Sequence, residues 1–237
     1  MKPTARSLRF ARIRGSSTFS RAALLASLLF GLGVLGACAL SIPTTRTTEI
    51  SREPASILGR LIPSRQLAAA PGVPWVVYLE PIEIAEHRTQ SSRVTTISQR
   101  DRALHPGFVV VTVGEEVHFS NDDGIYHRFF SQSESNSFDL VVAPDGEENA
   151  VRLSHPGEVL VYCSLHPWER GVVFVVPSPF FTTADSSGRY EIRDVPSGRY
   201  QLRAWSQDTQ SATQTVNLPE GTSVSIEISI ASTGESE

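Results

Sequence analysis

The sequence predicts an all-β protein. Three observations carry this: almost no segment spaces its apolar residues at helical intervals, short runs rich in Val, Ile and aromatics recur, and turn residues separate those runs. In chain order, the first strands are expected at residues 56–62, 75–80 and 93–98. Next come 108–113 and 116–120, which flank the turn at Val113-Gly114. Strands at 138–142 and 151–154 are parted by Pro144-Asp145-Gly146, and those at 159–163 and 172–176 come after His155-Pro156-Gly157. The last are 190–192, 200–204, 213–218 and 223–230, with turns at 185–188 and at Pro196-Ser197-Gly198. The final run alternates strictly, which puts Val224, Ile226, Ile228 and Ile230 on one face. Runs and glycines follow one pattern over 93–176 and another over 180–230, so two sandwich-type units are expected.

The N-terminus reads as an address. Lys2, Arg6, Arg9, Arg12, Arg14 and Arg21 precede the uncharged apolar stretch 22–37, as in a secretory signal. That stretch ends in Leu35-Gly36-Ala37-Cys38, which resembles a bacterial lipobox. The resemblance implies cleavage before Cys38, lipidation of Cys38 and attachment to a membrane by acyl chains. Ala39, where an Asp would retain the protein at the inner membrane, favours the outer membrane. Two other readings stand: a retained transmembrane anchor over 22–40, weakened by three glycines, and an ordinary cleaved signal. Residues 39–54 are polar and Thr-rich and read as a tether.

With the six basic residues of the leader removed, 15 Lys and Arg face 25 Asp and Glu. Such an acidic mature chain argues against a nucleic-acid partner. No G-x-S-x-G, P-loop or H-E-x-x-H occurs, so no enzyme signature is present.

One constellation carries chemistry. Cys163 is the only cysteine outside the lipobox-like segment, and His166 stands three residues after it at C-x-x-H spacing. One thiolate and two imidazoles form the His2Cys set of blue copper sites. The short spacing lets one loop supply two donors, and His127, after an earlier strand, fits as the third. A disulfide between Cys38 and Cys163 is the competing use of the thiol. Among the other histidines, His118 is expected to face solvent on its strand, and His155 and His87 to lie in loops. His105, in Leu104-His105-Pro106-Gly107, could lie near the site.

The pattern G-x-x-V-x-F-x-N-x-D…H, carried by Gly114, Val117, Phe119, Asn121, Asp123 and His127, precedes Pro156-Gly157, Tyr162, Cys163 and His166. Together these resemble the plastocyanin/azurin family of cupredoxins over roughly residues 93–176. The resemblance implies a Greek-key β-sandwich with a type 1 copper site, with copper as cofactor, His127, Cys163 and His166 as ligands and Asn121 ordering the ligand loop. Gln99-Arg100-Asp101, Asn121-Asp122-Asp123, and Cys163-Ser-Leu-His166-Pro-Trp168 are most similar to the cupredoxin-like proteins called methylamine utilization proteins. The Phe180-Phe181-Thr182-Thr183 run fits that group as well, together with Gly188-Arg189-Tyr190, Val195-Pro-Ser-Gly-Arg-Tyr200 and Arg203-Ala204-Trp205. In the family a Met comes after C-x-x-H-P-W as weak axial ligand. Here that position is Glu169, and Met1 is the only methionine. Three readings are open: Glu169 ligates copper through oxygen, it turns outward, or the site has lost copper.

Residues 180–230 resemble the later strands of carboxypeptidase regulatory-like, prealbumin-type sandwiches, for which Gly59–Ile62 and Val76–Leu79 fit the start. The expected layout is a signal peptide (1–37), a lipidated tether (38–54) and the first strands of that smaller sandwich (55–90). A cupredoxin domain (91–177), the remaining strands (178–232) and a tail (233–237) complete it. The alternative is two domains in series. The expected function is one-electron transfer on the periplasmic side of the bacterial envelope, with a redox partner protein. The competing functions are copper carriage between a donor and an acceptor, and a metal-free interaction module.

Overall fold

The computed structural model describes residues 53–63, 73–82, 94–144, 149–207 and 212–230. The expected export segment, Cys38, the expected tether up to residue 52 and His87 lie outside them. The described residues form sixteen β-strands and no helix, so the all-β expectation holds.

Nine strands build one sandwich. They are β3 (Thr95–Arg100), β4 (Ala103–His105), β5 (Phe108–Thr112), β6 (Glu116–Asn121), β7 (His127–Ser131), β8 (Phe138–Val142), β9 (Asn149–Arg152), β10 (Gly157–Cys163) and β11 (Arg170–Val176). One sheet runs β4-β3-β6-β9 and the facing one β5-β11-β10-β7-β8. The pairings β3/β6 and β5/β11 are parallel, which requires the chain to cross between sheets as a Greek-key sandwich does. The interior is filled from both sheets by Val117, Phe119, Phe129, Val142, Val159, Val161 and Val173. Phe119 stacks on Phe129 at 5.5 Å.

The other seven strands are β1 (Ala55–Pro63), β2 (Val76–Pro81), β12 (Phe181–Thr183), β13 (Arg189–Val195), β14 (Gly198–Trp205), β15 (Ala212–Leu218) and β16 (Ser223–Ile230). They form the sheets β13-β1-β16 and β12-β2-β14-β15 around a second core. Ile226, Ile228 and Ile230 enter it, with Val224 packed at its rim, as the alternation predicted. In β2, Leu79 lies opposite Leu202 and Tyr78 opposite Arg203 of β14. The whole of β3–β11 therefore lies, along the chain, between two strands of one sheet. Gly59 is fixed by close approach: a Cβ there would collide with the Ile226 carbonyl and the Tyr190 hydroxyl.

A third core joins the two sandwiches. Alternate residues of β11, Val172, Phe174 and Val176, turn away from the first interior. They meet Val76 and Tyr78 of β2 and Trp205 of β14, with Phe108, Val110 and Leu160 at the edge. Trp205 stacks on Phe174 at 3.8 Å, with the rings 7° from parallel. The result is four stacked sheets with three apolar layers between them. This explains why β11, buried along both faces, is almost purely Val and Phe.

Three strands escape the sequence pattern: β4, β7 and β12. Two are only three residues long. The third, His-Arg-Phe-Phe-Ser, has no β-branched aliphatic residue, and tertiary pairing with β8 and β10 makes it a strand. Arg100 pairs with Ala103 across a two-residue turn in which Asp101 and Arg102 both have positive φ, 52° and 63°. This is the twist that a tight hairpin needs. His118 alternates with buried Val117 and Phe119, so it lies on the outer face of β6, as expected, and is half-buried there.

Tyr190 gives the smaller sandwich a pH signature. Its hydroxyl donates to the Ile226 carbonyl at 2.9 Å, and burial pushes its pKa up from 10.0 to about 12. A raised folded-state pKa means the unfolded chain ionises first as pH rises. The contribution is complete below about pH 10 and is lost as pH climbs through about 12, at about 1.4 kcal/mol per unit. Urea unfolding across that range will show a falling midpoint, and Tyr190→Phe will make the fall shallower.

Candidate metal centre

The chemistry-bearing residues meet at one end of the larger sandwich. Cys163 is the last residue of β10, and its N–H donates to the Glu169 carbonyl at 3.1 Å. The Glu169 N–H donates to the His166 carbonyl at 2.9 Å. Those two bonds close the 163–169 segment into a compact loop at the β10–β11 turn. His127 opens β7, whose Phe129 lies opposite Cys163. The hydrogen-bond ladder between β7 and β10 thus sets His127 beside the loop.

Four donor atoms converge: His127 Nδ1, Cys163 Sγ, His166 Nδ1 and one Glu169 carboxylate oxygen all lie within 4.8 Å of one another. The sulfur is 3.8 Å from His127 Nδ1 and 3.6 Å from His166 Nδ1. The two imidazole nitrogens are 3.2 Å apart. Glu169 Oε2 is 2.9 Å from the first and 3.4 Å from the second. Metal–nitrogen bonds of about 2.0–2.1 Å and a metal–sulfur bond of about 2.3 Å imply donor separations of roughly 3.3–3.6 Å around a tetrahedral ion. The separations among the sulfur and the two nitrogens, 3.2–3.8 Å, fall around that range, and the whole set of four spans at most 4.8 Å.

The hydrogen bonds behind the donors agree. His127 Nε2 lies 3.0 Å from Asp123 Oδ1. His127 Nδ1 in turn lies 2.9 Å from Glu169 Oε2, so both ring nitrogens face carboxylate oxygens; an ion held at Nδ1 would leave Nε2 to carry the hydrogen toward Asp123. Two imidazole nitrogens, a carboxylate oxygen and the cysteine sulfur thus share one volume. Such a set is stabilised by a shared cation, and an acid holding the remote nitrogen of a ligating histidine is the usual support of a metal site. Burial opposes ionisation of Asp123, but bonds from His127, the Ile125 N–H and Gln99 outweigh it and lower its pKa. Soft sulfur, two imidazoles and one hard oxygen fit copper, for which the His2Cys core is diagnostic.

Burial shapes the site. His127 and Glu169 are sealed, at 0% and 1% exposure, whereas the His166 side chain is 19% exposed. Around His166 stand Leu165 and Trp168, each 53% exposed, and beside His127 are Ile125 and Tyr126, also exposed. The Trp168 ring lies 5.5 Å from that of His166, and the Arg102 guanidinium covers it at 4.7 Å. Trp168 therefore flanks the most accessible donor and is not a core residue.

Asn121 is buried and orders the loop before His127. Its amide nitrogen donates to the Ile125 carbonyl at 2.6 Å and the Ala143 carbonyl at 3.2 Å, and its oxygen accepts the Asp123 N–H at 3.2 Å. Asp123 then accepts the Ile125 N–H at 3.2 Å, with Gly124 in the left-handed region that this turn requires. Glu169 faces inward, toward the other donors. Among the described residues Cys163 is free of any disulfide, and Cys38 lies outside them. His105 and His155 are not in the group of donors, and the His155 ring bonds the Ser135 carbonyl at 2.8 Å. Asp123 and Gln99 also contribute, although the sequence marks them only as turn and motif residues. Nothing in a linear pattern distinguishes an Asp that caps a turn from one that also reaches a histidine ring.

No family model matches the chain, and no curated protein matches it. Solved structures do. A purple cupredoxin from Nitrosopumilus maritimus is 23% identical, with a TM-score of 0.30, over 35% of this chain and 99% of its own. An oxidised mutant of amicyanin is 16% identical, with a TM-score of 0.33, over 35% of this chain and 82% of its own. A reduced amicyanin mutant is 15% identical, with a TM-score of 0.32, over 42% and 99%. The residues of the site itself carry the functional reading.

Proposed function

We propose that the chain is a copper protein that transfers one electron, with His127, Cys163, His166 and Glu169 as ligands and Asn121 ordering their loop. The observation that carries this is the convergence of four donors from two separate segments, the start of β7 and the 163–169 loop. Bound copper supplies the one-electron couple. The protein's part is to hold the donors rigidly, so that little rearrangement accompanies a change of oxidation state. Strand-end placement of His127 and Cys163 and the closed 163–169 loop do this. His166, the donor with most solvent access, adjoins exposed Leu165 and lies 5.5 Å from the exposed Trp168 ring, a surface suited to transient contact with a redox partner. No enzymatic turnover belongs to this reading.

The same proposal takes the chain as a lipoprotein anchored through Cys38 on the periplasmic side of the bacterial envelope, at the outer membrane. A cupredoxin domain at 91–177 is held within the smaller sandwich at both ends. The leader's charge pattern and the lipobox-like Leu35–Cys38 support the anchoring. Labelling cells with a radioactive fatty acid tests it: label on the wild type and none on Cys38→Ser is the expected result.

Adding Cu(II) to the purified chain tests the centre. An intense thiolate-to-copper charge-transfer band is expected, with about one copper per chain, and Cys163→Ser will abolish the band. A colourless wild type, or a Cys163→Ser chain with the same band, contradicts the reading. Rapid loss of the ion to a weak chelator would point to copper carriage instead.

A further inference from the structure

We propose that Gln99 is a positioning residue of this centre: by tying one oxygen of Glu169 to the opposite sheet, it presents the other as a fixed anionic ligand and biases the site toward Cu(II). The inference rests on the copper reading above and deepens it.

Gln99 lies on β3, in the sheet that supplies none of the four donors. Its backbone is locked between strands, facing Asn121 of β6 on one side and Leu104 of β4 on the other. Its carbonyl accepts the Asp122 N–H at 2.9 Å. The side chain is fully buried, at 0% exposure, and its Nε2 donates to Glu169 Oε1 at 2.8 Å. A carboxylate can only accept, so the nitrogen of the amide must face it. The other amide atom, Gln99 Oε1, is buried and has no hydrogen-bond partner.

That orphaned oxygen is the informative feature. A buried acceptor without a partner costs about 1–3 kcal/mol, and an apolar side chain of the same length would avoid the cost. What Gln99 provides in return is its N–H donor, and the recipient of the 2.8 Å bond is Glu169. The two oxygens of Glu169 are thereby divided. Oε1 is held by the sheet, and Oε2 is left 2.9 Å from His127 Nδ1 and 3.4 Å from His166 Nδ1. Without the tether the carboxylate is free to rotate about its terminal bond, where the torsion is broad. With it, a single hard, charged oxygen joins the thiolate. Two anionic donors stabilise the more highly charged ion, and hard oxygen suits Cu(II) better than the soft Cu(I). Gln99 therefore acts through Glu169 and never touches the ion.

The test measures Cu(II) and Cu(I) affinities of the full chain in four forms: wild type, Gln99→Met, Glu169→Met and the double variant. Gln99→Met is expected to weaken Cu(II) binding by about 10–100-fold, the usual effect of losing a residue that orients a ligand. Cu(I) binding should change far less, and the thiolate band should remain. In the Glu169→Met background, Gln99→Met should cost far less Cu(II) affinity, because the group it positions is gone and only its bond to Asp123 is left to lose. Equal losses for both ions would make Gln99 a merely structural residue and overturn the inference. So would an unchanged Cu(II) affinity, or the same Cu(II) loss in the Glu169→Met background. Should Gln99→Met fail to fold, the comparison between Glu169→Met and the double variant still decides. A wild type that takes up no copper sinks the copper reading and this inference together, whereas a coloured wild type with an unchanged affinity ratio in Gln99→Met sinks this inference alone.

Discussion

Trp205→Ala will destabilise the protein by about 3–5 kcal/mol, the range for truncating a large buried aromatic. Trp205 is only 8% exposed and lies flat on Phe174 at 3.8 Å, in the apolar layer that joins the two sandwiches. Its ring partners are Phe174 and Phe108, and the backbone on both sides is held in sheets. The cavity left behind can collapse only partly, so most of the lost contact is felt in full. The effect will also be local. The layer between the sandwiches is separate from the two interiors, which keep their own residues. Denaturant unfolding monitored by fluorescence and by copper colour should therefore split into two transitions in the variant. A single transition with the wild-type midpoint would show that the interface contributes nothing.

Replacing Glu169 with Met will raise the reduction potential of the copper-loaded protein. A buried carboxylate oxygen beside the donor nitrogens puts a full negative charge next to the ion. Two unit charges about 4 Å apart interact by about 4 kcal/mol at an effective dielectric of about 20, so removing one acts strongly on the more highly charged ion. A shift of at least about tenfold in the Cu(I)-to-Cu(II) affinity ratio is expected, which is about 59 mV for a one-electron couple. Potentiometry on wild type and Glu169→Met reads it directly. An unchanged potential would mean that Glu169 contributes no ligand oxygen, despite its place among the donors. Gln99 loses its acceptor in this variant, so some loss of stability will accompany the shift.

These two residues show how unevenly the chain's properties are written in its sequence. The strand class was legible because alternation is a local property: Val224, Ile226, Ile228 and Ile230 declare their common face without reference to any partner. The donors were legible because a cysteine and a histidine three apart can be served by one loop, and because the run before His127 has a recognisable pattern. Strand β7 was not, since nothing in His-Arg-Phe-Phe-Ser outweighs its neighbours until β8 and β10 pair with it. The role of Trp205 was hidden for a similar reason. An aromatic at the end of a strand reads as core, and the sequence does not say which of three cores.

The sequence alone determined the residue types that can bind a soft-to-borderline metal ion, and it excluded a methionine ligand from any chain that has lost Met1. It left open whether Glu169 points in or out. Only the tertiary structure decided that, by sealing the side chain at 1% exposure and placing Gln99 and His127 on its two oxygens. The physical reason is that a donor's identity is a property of one residue, whereas its direction depends on packing among β3, β7 and the β10–β11 loop, segments up to 70 residues apart in the chain.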